Sequence, residues 1–423
     1  MIEHLTNWAG NYAFSAARVH RPETVEQLQD LVRHCRKLRV LGARHSFNDI
    51  ADSTEDLVSL EHMQPVLALD RGRGTVTVDA GARYGRLCGP LHDAGYALHN
   101  LASLPHVSMA GACATATHGS GDRNANLASA VAAMELVTAD GELVTLSRAH
   151  NSDQFLGAVV GLGGLGVVTK LTLDVVPAFE MRQDVYEHLP LATLEAHFDD
   201  ILSSAYSVSL FTDWQSQSFS QVWFKRRVAD GDAFAAEPRL FEATLAPSQR
   251  HPIVSLSAAP CTEQMGIRGP WHERLPHFRM DFTPSSGDEL QSEYFVPRAH
   301  ALEAFRAIDR LRDQLARVLQ ISEVRTIAAD ELWLSPCYRQ ASVAIHFTWR
   351  KDWDAVKALL PEIEAALAPF DARPHWGKLF TTSPARLRSL YARLPDYRQL
   401  LRRYDPDGKF RNAFLDRYVF GAE

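Results

Sequence analysis

The chain has 423 residues, 46% of them hydrophobic and 22% charged, with a formal net charge of -7. That length exceeds one ordinary core and points to two or three domains, and an acidic balance without a basic run excludes a nucleic-acid binder. No apolar run approaches the roughly 20 residues that span a bilayer, so no membrane partner is expected. The opening stretch "MIEHLTNWAGNYAFSAARVHRP" has neither the cationic leader nor the apolar core of a secretory signal, and a cytoplasmic enzyme is the expectation. Cys35, Cys88, Cys113, Cys261 and Cys337 are odd in number and far apart, with no zinc spacing. They read as buried free thiols and no metal is expected, although Cys113 sits in a glycine-rich loop where it either packs or approaches a cofactor.

In chain order, Val25, Leu28, Leu31 and Val32 recur at helical spacing behind Thr24, a plausible N-cap. "LRVLGA" is a buried strand, and "GTVTVDAGARYGRL" is a period-two strand, a glycine turn and a helix. "MELVTADGELVTLS" is a hairpin about Asp140-Gly141, and "GLGGLGVVTKLTLDVVP" ends the first region with another strand. From residue 176 longer strands ("SVSLFTDW", "LQSEYFVPR", "SEVRTIAA", "SVAIHFTW") alternate with helical segments such as "ALEAFRAIDRLRDQLARVL". That pattern predicts an α+β unit with helices on one side of an antiparallel sheet. The last 45 residues are again helical and basic, and no repeat or flexible linker separates the parts.

Two stretches carry the chemistry of the first region. In "RVLGARHSFNDIA", residues 39–51, a buried strand stops at Gly42 and presents Arg44, His45, Ser46 and Asn48; taken alone, this is a solvated turn. In "NLASLPHVSMAGACATATHGSG", residues 100–121, Gly111, Gly119 and Gly121 alternate with alanines. So few side chains let a backbone lie against a ligand, and freed N–H groups make an anion-binding concavity to which Thr115 and Thr117 add hydroxyls. A tightly packed turn is the alternative; a diphosphate-bearing cofactor is the better reading. It is not a nicotinamide in a GxGxxG site, because "GLGGLG" leads into a strand rather than a helix, and the Walker A pattern is absent.

In the second region, Glu323 and Arg325 are two apart and share one face of a strand, as do Ser342, Ala344, His346 and Thr348 on another. The opposite face of the latter is Val343, Ile345, Phe347 and Trp349, so the polar faces either line a pocket or meet solvent.

"GARHSFN", "ASLPHVSMAG", "THGSG", "GLGVVTKLTL" and "PHWGK" together resemble the vanillyl-alcohol-oxidase type of FAD flavoprotein, and within it the alditol (xylitol, sorbitol) oxidases, over essentially the whole chain. The resemblance implies an FAD domain of residues 1–175 completed by 377–423, around a substrate domain of residues 176–376. It implies FAD bound covalently through His45, with Leu41, Gly42, Ala43, Arg44, Ser46, Phe47, Asn48, Ser103, Ser108, Gly111, Thr115, Ala116, Thr117, His118 and Val168 about the cofactor. Arg44 faces either the cofactor or solvent, and His118 either the cofactor or its own turn. Ser103, Glu323, Arg325, Thr348 and Lys378 then bind a polyol, and His346 accepts or relays a proton because an unperturbed imidazole titrates near working pH. The implied reaction takes a terminal primary alcohol to the aldehyde with O2 reduced to hydrogen peroxide, in a monomer. Three rivals remain: an aldonolactone oxidase or dehydrogenase, an FAD-binding protein without turnover, and an enzyme using a quinone or protein acceptor.

Overall fold

The computed structural model describes residues 5–229, 236–282 and 287–421; residues 1–4 and 422–423, the outer ends of the expected FAD domain, lie outside the described residues. Thr24 caps the helix Val25–His34 as the sequence predicts, its hydroxyl accepting from Gln27 N at 3.3 Å. The buried side of that helix, Leu28 and Val32, covers a three-stranded parallel sheet ordered Arg18–His20, Asp56–Val58, Leu38–Val40. Beside it stands a five-stranded antiparallel sheet ordered Leu67–Asp70, Thr75–Asp79, Val167–Asp174, Val131–Val137, Leu143–Ser147. Its last two strands are the expected hairpin, with Val137 paired to Leu143 and Gly141 at φ +82° in the turn. The C-terminal helices Pro384–Leu390 and Leu394–Tyr404 pack into the same core as this sheet. Arg39 fastens these pieces: its buried guanidinium donates to the carbonyls of Gly163 (2.7 Å), Leu162 (2.7 Å), Phe410 (2.9 Å) and Ile50.

The second region is one ten-stranded sheet. Its centre runs Glu180–Pro190, Ser218–Val228, Ser207–Thr212, Leu319–Ile327, Ser342–Arg350, Glu289–Pro297, all neighbours antiparallel. One face carries Val222, Phe224, Val208, Leu210, Val324, Val343, Ile345, Phe347 and Trp349, and buries them against the helices on that side. The predicted helix "ALEAFRAIDRLRDQLARVL" is two, Ala301–Asp309 and Arg312–Val318. At the break Arg312 Nε donates to the Asp309 carbonyl at 3.2 Å, satisfying an acceptor that a continuing helix would give to a backbone N–H. No helix among the described residues is long and apolar enough to cross a membrane.

The polar face of the large sheet looks towards the first region. Gly121 pairs with Ile327 across the junction, and Ala328 N donates to Asn124 O at 3.0 Å. Between the two regions lies a cavity of about 640 Å³.

Candidate active site

The cavity has a cofactor-like half and a polar half. The first is built from the end of strand Leu38–Val40, the turn after it and the small-residue segment. Arg44 sits at φ +60°, which folds the turn back on itself; among the described residues the N–H groups of Gly42, Arg44, His45 and Ser46 find no protein acceptor. Successive free N–H groups of this kind form an anion-binding nest. Small residues are required here by distance. A Cβ on Gly42 would stand 2.6 Å from Ser108 Oγ and one on Gly111 2.7 Å from the same atom. Ser108 Oγ in turn accepts from Ala43 N at 3.3 Å, joining the two loops.

His45 is half-buried on this wall, with its ring 4.4 Å from Trp8 and 4.9 Å from His106. His106 Nε2 lies 3.3 Å from His45 Nδ1. Burial, then His106 and Lys378, push the His45 imidazole down to about 3, so its ring is neutral near pH 7 and keeps a nucleophilic nitrogen. Asn48 holds the turn against the C-terminal return, its Nδ2 donating to Trp376 O (2.8 Å) and Lys378 O (2.9 Å).

The polar half is centred on a carboxylate that the sequence did not single out, Glu293. It pairs directly with His346, which pairs on its other side with Glu323, so three adjacent strands present Glu293, His346 and Glu323 in one row. Glu293 receives Lys378 Nζ at 2.7 Å, Arg325 Nη2 at 3.1 Å and His118 Nε2 at 3.2 Å, and is fully buried. Burial alone would raise this carboxyl; the Lys378 ammonium and His118 win and hold it well below the usual range. Burial lowers Lys378, against the pull of Glu293. Arg325 Nη1 donates to Ser103 Oγ at 3.3 Å, while its Nε lies 3.4 Å from Glu323 Oε1.

Of the residues expected about the site, all but two line the cavity. Phe47 is the first correction: it does not line the cavity, because its ring belongs to the buried core of the second region and supports the turn from behind, edge-on to the His45 ring at 5.8 Å. Ala116 is the second: at φ +55° it turns its methyl into the first core, away from the cavity. Arg44 is exposed, with Nη1 on the Thr6 carbonyl at 3.2 Å. His118 spends its ring on Glu293 and the Gly119 carbonyl. Burial and then Lys378 lower His346 to about 4, so its ring is neutral near pH 7. Its Nδ1 accepts from Lys378 Nζ at 2.7 Å, leaving Nε2–H for Thr348 Oγ1 at 3.1 Å. Cys113 is packed in the first core and all five cysteines are free and buried.

The chain is 51% identical to an alditol oxidase from a Streptomyces species, over 98% of this chain and 99% of that protein. It belongs to the alditol oxidase family. Like the rest of that family it is an FAD oxidoreductase of the vanillyl-alcohol-oxidase type. An FAD binding domain model matches residues 16–147, and a D-arabinono-1,4-lactone oxidase model matches 287–418. L-gulono-1,4-lactone dehydrogenase of Mycobacterium tuberculosis is more distant, 28% identical over 98% of each chain. The fold is shared with cholesterol oxidase from B. sterolicum, at a TM-score of 0.76, 15% identity, and 98% and 96% coverage. The nest at 42–46, the close approach at Gly42 and Gly111 and the neutral histidine beside them fit the FAD that this alditol oxidase family member binds.

Proposed function

We propose that this chain oxidises the terminal primary alcohol of an alditol such as xylitol or sorbitol to the aldehyde, with O2 as acceptor: R–CH2OH + O2 gives R–CHO + H2O2. The single observation that carries the reading is the polar row of Glu323, His346 and Glu293, clamped by Arg325 and Lys378 and opening on the FAD-type wall. FAD, when bound, supplies a hydride acceptor. Residues 42–46 with Ser108, Gly111, Thr115 and Thr117 hold its diphosphate side, and His45 anchors it covalently. The cofactor part is residues 1–175 with 377–423, the substrate part 176–376.

The chain's own residues do the rest. Arg325 and Lys378 place positive charge where the alcohol oxygen gains negative character as its proton leaves. Glu293 bonds to both cations and fixes their spacing. His346, held at Nδ1 by Lys378, donates through Nε2 to Thr348 Oγ1 and turns the threonine hydroxyl proton towards a substrate oxygen. Ser103 and Glu323 take neighbouring hydroxyls. A site built of buried donors and acceptors rejects molecules that leave those groups unpaired, which favours a hydroxylated chain over a lactone. Peroxide release from a panel of xylitol, sorbitol and gulono-1,4-lactone tests this: polyols are expected to lead, and turnover of the lactone alone would overturn the assignment.

A further inference from the structure

Beside Glu323 stand two buried groups that the mechanism does not use, Lys225 and the cavity-lining His277. Lys225, on strand Ser218–Val228, is 1% exposed. Its Nζ reaches the Leu275 carbonyl (2.6 Å), the Pro276 carbonyl (2.9 Å) and His277 Nδ1 (3.2 Å). His277, packed edge-on against Trp223 and Phe211, reaches Glu323 Oε1 with Nε2 at 2.7 Å. The His277 backbone N–H also donates to the Ser103 carbonyl at 3.2 Å, so one loop braces two residues of the polar half.

An ammonium has three hydrogens and no lone pair. Two go to the carbonyls and the third to Nδ1, which must therefore accept, and the imidazole proton is left on Nε2, facing the carboxylate. We infer that Lys225 and His277 are positioning residues for substrate binding: Lys225 sets the tautomer of His277, and His277 clamps Glu323 Oε1 so that Oε2, which has no protein partner among the described residues, is presented to a polyol hydroxyl. The inference rests on the polyol reading above.

The clamp is sensitive to pH near neutrality. Facing Lys225 are His277, Glu323, Cys261, Arg325 and Arg274. Burial lowers Lys225 to about 7 against the pull of Glu323, while burial lowers His277 to about 4 and keeps its ring neutral. Burial acts to raise Glu323, but Arg325 and His277 hold it below the usual range, so it stays a carboxylate. Lys225 is then the member that titrates. Its neutral amine keeps two hydrogens for the carbonyls and turns a lone pair to Nδ1, which favours the Nδ1–H tautomer. A bare Nε2 would then face the carboxylate at hydrogen-bond distance, and Glu323 swings off its mark. Tight polyol binding belongs to the acid side of this titration and weakens as pH rises.

The test compares wild type, Lys225→Met and His277→Gln holoenzymes with xylitol, from pH 6 to 9. In wild type KM rises about tenfold across the range with the limiting rate of flavin reduction nearly constant. Lys225→Met has a KM raised tenfold or more at pH 6 with unchanged limiting rate. His277→Gln, whose amide nitrogen replaces Nε2 and has no tautomer to lose, keeps a low KM that is flat with pH. In 15N-histidine NMR the signal lost in His277→Gln reports an Nε2–H ring at pH 6 in wild type, and that signature is lost in Lys225→Met. A wild-type KM that is flat with pH, or an Nδ1–H ring at pH 6, overturns the inference. If Lys225→Met does not fold, the wild-type and His277→Gln profiles decide it. Should wild type leave xylitol unoxidised, the polyol reading falls while the tautomer measurement still judges the clamp.

Discussion

Glu293→Gln removes one charge and almost no volume from the centre of the site. The variant leaves Lys378 and Arg325, bonded to the carboxylate at 2.7 and 3.1 Å, as two buried cations without their shared partner. Removing one side of a buried ion pair costs about 3–5 kcal/mol of stability. Part of that cost is relieved if Lys378 sheds its proton: burial already lowers this lysine, and Glu293 is the main group holding it up. In the variant Lys378 therefore gives up its proton more readily than in the wild type, and with it one of the two charges that face the reacting oxygen. Loss of one such preorganised group slows chemistry about 10²–10³-fold. The assay is anaerobic rapid mixing with xylitol, following flavin absorbance. Wild-type reduction varies little between pH 6 and 8, whereas the Glu293→Gln enzyme speeds up as pH falls and Lys378 regains its proton. A variant within threefold of wild type at pH 7.5, with no acid-side recovery, would refute the role given to this carboxylate.

The covalent anchor is tested by acid precipitation: wild-type protein stays yellow and His45→Ala releases its flavin, and flavin washing out of the wild type would end the claim. Gly42→Ala puts a methyl 2.6 Å from Ser108 Oγ, so FAD content falls steeply and is partly restored by adding Ser108→Ala; full loading of the single variant contradicts the close approach. Thr348→Val deprives His346 Nε2–H of its acceptor and the substrate of a hydroxyl, raising the xylitol KM about tenfold, or 1–2 kcal/mol. An unchanged KM removes Thr348 from the binding set.

The parts of this fold that are local in sequence could be read from it. Thr24 before Val25, the alternation of Thr75–Asp79 and the Asp140-Gly141 hairpin need only neighbours a few residues away. The polar face of Ser342–Arg350 was legible for the same reason, because period two alone separates His346 and Thr348 from Ile345 and Phe347. What escaped is set by pairing at a distance. Glu293 alternates with Ser292 and Tyr294 like any half-buried strand residue, and only the register against His346 makes it central. Lys225 and His277 are 52 positions apart, and His277 sits on a loop with no period to mark it. Phe47 and Ala116 were expected to line the cavity because in a turn no period tells which side chain points inward; their side chains join neighbouring cores. The lowered His346 imidazole could not be read from the strand either, since burial beside a lysine is set by distant parts of the chain.

The most direct test of alditol oxidation at this cavity is anaerobic reduction of the bound flavin by xylitol and by xylitol deuterated at its terminal carbons. The account predicts bleaching by xylitol that slows several-fold with deuterium, as the C1 hydrogen is the one transferred. Flavin that xylitol leaves oxidised while gulono-1,4-lactone bleaches it would contradict the account.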